Sequence, residues 1–522
     1  MNGRVVGVLL DTVSIQRYIF STNNLKENIG ASFIVENIYK EHLEKVIREI
    51  FPSVSPDYYN GWEREPERIV IKEGLTPVEV GYIGGGNALL FFNEKDKAEE
   101  FIMKWTLRLI IYAPGLVPAC AMSEIDFSNF EDSLKEIHSK LALNKSKFVP
   151  EVIIRRHGIT AECPRTGYTR DVFCDKLPEG KKDYISSVSN AKIVSSDSAK
   201  NELKKILEEC ELFNKYTFTN EIDKLGQIKG EEGHIAIVHI DGNDMGQRFK
   251  EQKDLKSLRR LSASVRNATR EVFKSMLKEI DRNIDGIKKE LKLQTENEEA
   301  GKTILPLRPI IIGGDDITFV SEGRLGIWLA KIFLETFEKQ KVSDNKPLSA
   351  CAGVAITKTK YPFYKGYQLS EELTRSAKDG RKKSMDNGSW IDFHIAYGGF
   401  SGNIEELRRT HYKTSDVDKM TLRPYKISDL DEIIMGVKFL KEEENGKLKF
   451  PRSKLMNIVK VLYMGKDAQD LFMEEIKTRG LKLPEYKNFN GTEIVVKKET
   501  PYLDMIELMD FYPEFALKGG NK

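Results

Sequence analysis

Cysteine is scarce in this chain. Five occur in 522 residues, an odd number, widely spaced and with no CxxC pair. That excludes a disulfide framework and leaves reduced thiols as the expectation. Cys120 and Cys351 fall inside apolar runs and read as core, while Cys163 and Cys174 argue only weakly for zinc, with His157 as a conceivable third ligand. Long hydrophobic runs are missing too. No stretch of 18 apolar residues occurs, and the first apolar run, in MNGRVVGVLLDTVSIQ, is broken by Asp11 and lacks a small-residue cleavage site. No membrane contact is expected, and the chain reads as cytoplasmic. An excess of either charge is also absent: 82 basic against 80 acidic side chains give a net charge of +2, which argues neither for nor against nucleic acid.

What is present is an ordinary soluble composition, 40% apolar and 31% charged. The chain is too long for one core, and roughly three or four domains are expected.

A long-period repeat organises the text. VVGVLLDT ends in Asp11 and IAIVHIDG in Asp241, each a β-branched run delivering a carboxylate to a strand end. Asp11 lies 73 residues before Gly84 in GYIGGGNALLFF, and Asp241 lies 72 before Gly313 in IIIGGDDITFV. A further 35 residues reach Ala119 in VPACAMSEI, and a further 37 reach Ala350 in LSACAGVAI. Helical patterns fill the gaps, so each copy reads strand, helix, hairpin, helix, strand: a ferredoxin-like βαββαβ palm, with a mixed sheet and helices on one face. The fold class expected is α+β, in four parts: a first palm at 1–130, a linking module with two cysteines at 131–231, a second palm at 232–400 and a C-terminal helical domain at 401–522.

The second hairpin carries Gly313, Gly314, Asp315 and Asp316. The glycines relieve a tight turn and permit close approach, and the aspartates then project beside Asp241. Three such carboxylates repel one another unless cations lie between them, and hard oxygen ligands suit two Mg²⁺ or Mn²⁺ ions. Paired ions of this kind activate a 3′-hydroxyl and neutralise a leaving pyrophosphate, which is nucleotidyl transfer. Lys378, Arg381, Lys382 and Lys383 end a helix after the last palm strand and are read as triphosphate ligands, although the helix dipole also favours such a turn. In the first copy Gly84, Gly85, Gly86 and Asn87 replace the acidic hairpin, so that half is expected to line a nucleotide pocket without holding two metals. Asp11 is read as a cap for the SIQRYIF helix, and Asn243 and Asp244 as caps for the helix after Asp241.

DTVSIQRYIF opening the first palm, IDGNDMG opening the second, GGDD, SAKDGRKK and then TLRPYKISDLDEII resemble the large polymerase/cyclase subunit of type III CRISPR effector complexes. The likeness covers most of residues 1–440 and is strongest over 232–383. It implies a second palm that joins ATP 3′ to 5′ into cyclic oligoadenylate, with divalent metals held by Asp241, Asp315 and Asp316, and a first palm that offers a second nucleotide site. Two departures stand out. The chain starts directly at the first palm and has no His-Asp dipeptide, which removes DNA cleavage from the expectation; and the cysteine-rich element is eroded to two cysteines. A stand-alone, HD-less tandem-palm relative from a defence locus is therefore expected.

The leading reading is a metal-dependent nucleotidyltransferase making a cyclic or linear oligoadenylate second messenger for antiviral defence. The alternatives are a GGDEF-like nucleotide or dinucleotide cyclase, and a non-catalytic scaffold that binds nucleotide or RNA. The partners expected are ATP, RNA or CRISPR effector subunits, and a second copy of the chain.

Overall fold

The computed structural model describes residues 4–147, 158–177, 180–226, 233–292, 298–299, 301–398, 403–444 and 447–518. Four strands of the first half, β1 (Arg4–Val13), β2 (Val78–Gly84), β3 (Asn87–Phe92) and β4 (Val117–Asp126), form a sheet in the order β2-β3-β1-β4. In the second half β5 (His234–Gly242), β6 (Leu307–Gly313), β7 (Asp316–Glu322) and β8 (Ala350–Lys358) repeat that order. Two further strands, β9 (Trp390–Ala396) and β10 (Tyr425–Lys426), extend this second sheet beyond β8. The fold is thus a tandem of palms.

The first sheet departs from the expected mixed one: all its pairings are antiparallel. Each helical crossover returns to a strand one place removed, so parallel strands are never neighbours. Only β8 and β9 of the second palm pair in parallel.

Nor do helices cover one face alone. In the first palm the crossover helices are α1 (Ile15–Ile19), α2 (Leu25–Asn37) and α3 (Lys95–Tyr112), and α4 (Phe130–Lys145) follows β4. Val8 and Leu10 of β1 join α2 and α3 in one core, whereas Val5 and Leu9 join Leu134, Ile137 and Leu141 of α4 in another. Strands apolar at every position, as in VVGVLL, bury both faces. Helix α4, which begins at the boundary expected after residue 130, packs on the first sheet, because its charge-rich text hides apolar positions 130, 134, 137 and 141 at helical spacing.

Beyond α4 a short hairpin, Val172–Cys174 with Asp183–Ile185, leads into α5 (Ser187–Glu209). Cys163 and Cys174 are buried there with Ile185 and Ile193, and His157 lies outside the described residues. Helix α5 crosses α2 so closely that a Cβ on Gly30 would stand 1.7 Å from the Lys192 carbonyl oxygen. Only glycine permits that crossing.

The second palm carries α6 (Met245–Lys250) and α7 (Leu255–Arg282) after β5, α8 (Gly326–Glu338) after β7 and α9 (Phe363–Lys383) after β8. Ala236, Val238 and Ile240 of β5 face the α7 and α8 core, and Ile235 and Ile237 face Phe363 and Tyr367 of α9. C-terminal helices α10 (Ile427–Leu440), α11 (Arg452–Met464), α12 (Lys466–Thr478) and α13 (Tyr502–Met509) share that α7 and α8 core through residues such as Leu430, Ile458, Phe472 and Leu508. The helices after residue 401 thus pack on the second palm, and β10 is part of its sheet. Among the described residues no helix is long and apolar enough to cross a membrane.

Helix α7 joins the two palms. The pairing of β2 with β3 skips Gly81 in a bulge between Val80 and Tyr82, which turns strand carbonyls away from the ladder. Arg259 of α7, fully buried, takes them. Its guanidinium donates to Gly81 O at 2.7 Å, Val80 O at 2.6 Å and Arg68 O at 2.7 Å, and pairs with Glu79 Oε1 at 2.8 Å. Strand β6 carries a bulge at the matching place, between Pro309 and Ile311.

Removing the guanidinium leaves Glu79 buried without its counter-charge. Arg259→Leu is expected to cost about 3–5 kcal/mol in urea unfolding, whereas Arg260→Leu, at an exposed ion pair with Glu67, costs about 0–1 kcal/mol.

Candidate active site at the paired hairpins

Antiparallel register brings the acidic residues together. Asp316, first in β7, stands opposite Asp241 near the end of β5. The intervening turn is held on both sides: Gly242 N–H donates to Asp315 O at 3.1 Å, and Thr269 Oγ1 of α7 donates to Gly314 O at 2.6 Å. Gly314 has φ +28°, a left-handed backbone suited to glycine in a two-residue turn. A Cβ on Gly242 would fall 2.8 Å from Asp315 Cβ, so the strand end is bare where Asp315 packs.

The first palm repeats this geometry with other chemistry. Asn87 stands opposite Asp11, and Gly85 and Gly86 turn the hairpin at φ +59° and +76°. A Cβ on Gly84 would lie 3.2 Å from Ser262 Oγ of α7, and one on Gly314 would lie 3.9 Å from Gly85 N. The two tips therefore face each other across α7. Between them is a cavity of about 670 Å³, lined by Gly84, Gly85 and Asn87 of one hairpin and Gly314 and Asp315 of the other. Ser262 and Arg266 of α7, Glu131, Lys135, His138 and Ser139 of α4, and Lys250 of α6 line the rest of its polar wall.

Charge at the second hairpin is strained. Burial, then the neighbouring Asp241 and Asp316, push the Asp315 carboxyl up to about 7. Burial and Asp241 push Asp316 up to about 8. Lys378 opposes both shifts, and its Nζ lies 2.6 Å from Asp241 Oδ2. Asp316 Oδ1 is buried without a hydrogen-bond partner, 3.4 Å from His239 Nδ1, which itself meets Thr318 Oγ1 at 3.0 Å. Glu371 of α9 adds negative charge near Asp316.

The expected convergence of three carboxylates takes a more open form. Asp241 and Asp316 sit side by side with Lys378 and His239, while Asp315 turns into the cavity. Among the described residues no three His, Cys, Asp or Glu side chains are already closed around one cation position, at the hairpin or at the Cys163–Cys174 cluster. The donor set still fits Mg²⁺ or Mn²⁺. It offers hard oxygens only, one of them buried and unsatisfied, in a place where negative charge exceeds positive.

Other expected ligands fall elsewhere. Arg381 is buried and donates to Asp244 Oδ2 at 2.6 Å and to Asp386 O at 3.2 Å, so its guanidinium is committed to the fold. Lys382 is exposed and has no ion pair with the three aspartates among the described residues. Asp244 occupies the N-cap position of α6 in a left-handed conformation and makes no capping bond, because Arg381 holds its carboxylate. Asn243 reaches Ser349 Oγ at 3.0 Å instead of capping. Asp11 does not cap α1 either: its Oδ2 pairs with Lys145 Nζ at 2.7 Å. His239, Glu371 and Lys145 escaped the sequence reading, since a lone polar residue in a strand or charged helix looks like any other. Lys145 had one signal: Phe130 to Lys145 and Phe363 to Lys378 have the same spacing.

Comparison with known proteins agrees with this architecture. Residues 234–385 match the family model described as Cas10/Cmr2, second palm domain. The crystal structure of Csm1 in T. onnurineus superposes with a TM-score of 0.55 at 13% identity, covering 99% of this chain and 69% of that one. A Csm1–Csm4 cassette in complex with cA4 gives 0.53 at 14% identity, covering 97% and 69%. The Csm1–Csm4 subcomplex of the type III-A CRISPR-Csm interference complex gives 0.52 at 13%, covering 97% and 69%. No curated protein matches. Over residues 234–385 the chain is similar to the Cas10/Cmr2 second palm, and its fold as a whole is like that of Csm1.

The raised carboxyls set a pH dependence. Unfolded, Asp315 and Asp316 ionise near 3.8; folded and metal-free, they hold their protons to about 7 and 8. The native state then binds more protons between those limits, so their contribution is full below about pH 4 and is lost as pH rises through 8. Metal-free wild type is expected to lose melting temperature between pH 5 and 8.5 relative to Asp315→Asn/Asp316→Asn, whose corresponding slope is flat. Calorimetry across that range, with and without Mn²⁺, checks it; at pH 8 the ion should stabilise wild type alone.

Proposed function

We propose that this protein is a metal-dependent nucleotidyltransferase that joins ATP through 3′–5′ linkages into a cyclic or linear oligoadenylate, as a Cas10-like subunit of a type III-like defence system. The observation that carries the reading is the register of β5 and β7, with Asp241 against Asp316, Asp315 at the turn, and a cavity of nucleotide size beside them. Each linkage forms a bond from a ribose 3′-oxygen to an α-phosphorus and breaks the bond from that phosphorus to the pyrophosphate, the hydroxyl proton passing to solvent. Asp241, Asp315 and Asp316 would hold Mg²⁺ or Mn²⁺, which would supply Lewis acidity to the transfer.

The chain's own groups do the positioning. Gly84 and Gly85 on one tip, and Gly313 and Gly314 on the other, keep side chains out of the way where a base or ribose must approach. Lys135, paired with Glu131 at 2.7 Å, and Arg266, paired with Glu63 at 2.8 Å, line the cavity and would exchange those carboxylates for phosphates. Lys378 tempers the charge on Asp241 and is placed to follow a triphosphate. Solved Csm1–Csm4 structures in complex with AMPPNP and with pppApA support the substrate class. They also support a Csm4-like subunit as a partner.

Incubation with ATP and Mn²⁺, followed by chromatography of the products, tests the reading. Asp241→Ala and Asp315→Ala/Asp316→Ala are expected to lower product formation at least ~10²-fold, while Lys382→Ala leaves it near wild type. Equal product from wild type and the double variant would remove the enzymatic reading.

A further inference from the structure

A second cavity, of about 890 Å³, opens among the C-terminal helices and shares no residue with the one between the hairpins. Its volume lies in the range of small-molecule sites. One wall is α12, whose Lys466, Gln469, Asp470, Met473, Glu474 and Lys477 recur at helical spacing. The other is formed by residues 491–498.

That second wall is firmly held. Gly491 packs so closely that a Cβ on it would stand 2.2 Å from the Leu483 carbonyl oxygen. Val496 and Glu499 exchange both main-chain hydrogen bonds at 3.0 Å, closing a two-residue turn on Lys497 and Lys498. Both lysines are left-handed, at φ +51° and +64°, where such a turn ordinarily takes Asn-Gly. The turn gives up stability to place lysines there, and both line the cavity.

Gln469 supplies the observation that points to a ligand. It is 6% exposed, and its Nε2 is buried without a hydrogen-bond partner. An amide N–H withdrawn from water and left unmatched is destabilising until an acceptor arrives. The charges around it are equally uncommitted. Lys466, Lys477 and Lys497 form no ion pair among the described residues, whereas Lys482, also in the lining, is tied to Glu485 at 2.5 Å. Asp470, Glu474 and Glu493 are likewise unpaired among the described residues, and Asp416 lies against Gly465 at the start of α12. Leu481, Ile494 and Val495 add apolar surface. Lysines and carboxylates that face one space without neutralising each other suit a ligand that needs both. Phosphates take the lysines, ribose hydroxyls take the acids, and a base takes the apolar surface.

We infer that this cavity is a nucleotide site outside the palms, made for a free nucleoside di- or triphosphate. Gln469 Nε2 donates to an acceptor on the base, and Lys466, Lys477 and Lys497 hold the phosphates without a divalent ion. It is a binding site and not a second catalytic centre, and it stands independently of nucleotidyl transfer by the palms.

Hydrogen–deuterium exchange of the full chain with millimolar ADP in EDTA tests it, because the readout is local. Protection is expected in α12 and in residues 491–498, whatever happens at the hairpins. Lys477→Ala/Lys497→Ala should raise the ADP concentration needed about tenfold. Gln469→Leu should abolish the protection while leaving the ligand-free melting temperature equal to or above that of wild type, since it removes an unmatched buried amide; a glutamine serving the fold alone would lower it. Pyrophosphate and adenosine, each added alone, should protect these segments less than ADP. Equal protection by pyrophosphate would make this a general anion site and overturn the assignment. So would no protection in wild type, unchanged protection in either variant, or a lower melting temperature for Gln469→Leu. None of those results bears on product formation from ATP, and an inactive palm would leave this site standing.

Discussion

The carboxylate cluster of this molecule depends on one backbone constraint: the register in which β5 pairs with β7. A shift by one residue would turn Asp241 to the opposite face and part it from Asp316. The ladder is fixed by strands buried on both sides. Ala236, Val238 and Ile240 commit to one core and Ile235 and Ile237 to another, so neither face can slip without exposing apolar surface. Carboxylates that repel each other are thus held adjacent by burial elsewhere in the same strands, and their own burial, together with that repulsion, raises their proton affinity.

Helix α7 transmits that constraint across the molecule. Arg259, Ser262, Arg266 and Thr269 recur on one face at helical spacing, and their contacts run from the bulge of β2 to the turn at Gly314. A further contact ties the palms on the far side of the second sheet, where Phe20, just after α1, stacks on Tyr367 of α9 at 3.6 Å between ring centroids. The same helix carries Lys378. Helix α5 reaches this corner through buried Lys192, which donates to Tyr18 O at 2.6 Å and Ser21 Oγ at 2.8 Å.

Much of this was legible in the sequence because both palms obey local rules. A β-branched run closing on an acid and a glycine hairpin at a fixed interval place both sheets and bring Asp241 opposite Asp316. The third landmark was one residue out: Ala119 stands opposite Asp11, but Cys351, not Ala350, stands opposite Asp241. What stayed hidden depends on long-range contact. Arg381 and Lys378 look alike at a basic helix end, yet one is buried on Asp244 and the other reaches Asp241. Asp11 and Lys145 are far apart in the chain, and nothing local marks them as partners. Helices on both faces could have been read from the unbroken apolar runs, whereas the sharing of one core by the second palm and the C-terminal helices could not.

The single helix gripped by both hairpins also bears on how the repeat could diverge. Two duplicated units that met only through their chemistry would lose alignment as soon as one of them lost its acids. Here the spacing between them belongs to a rod that touches glycines and main-chain carbonyls, groups indifferent to what the neighbouring side chains are. The two copies can therefore carry different charge at their hairpins and still be aimed at the same spot.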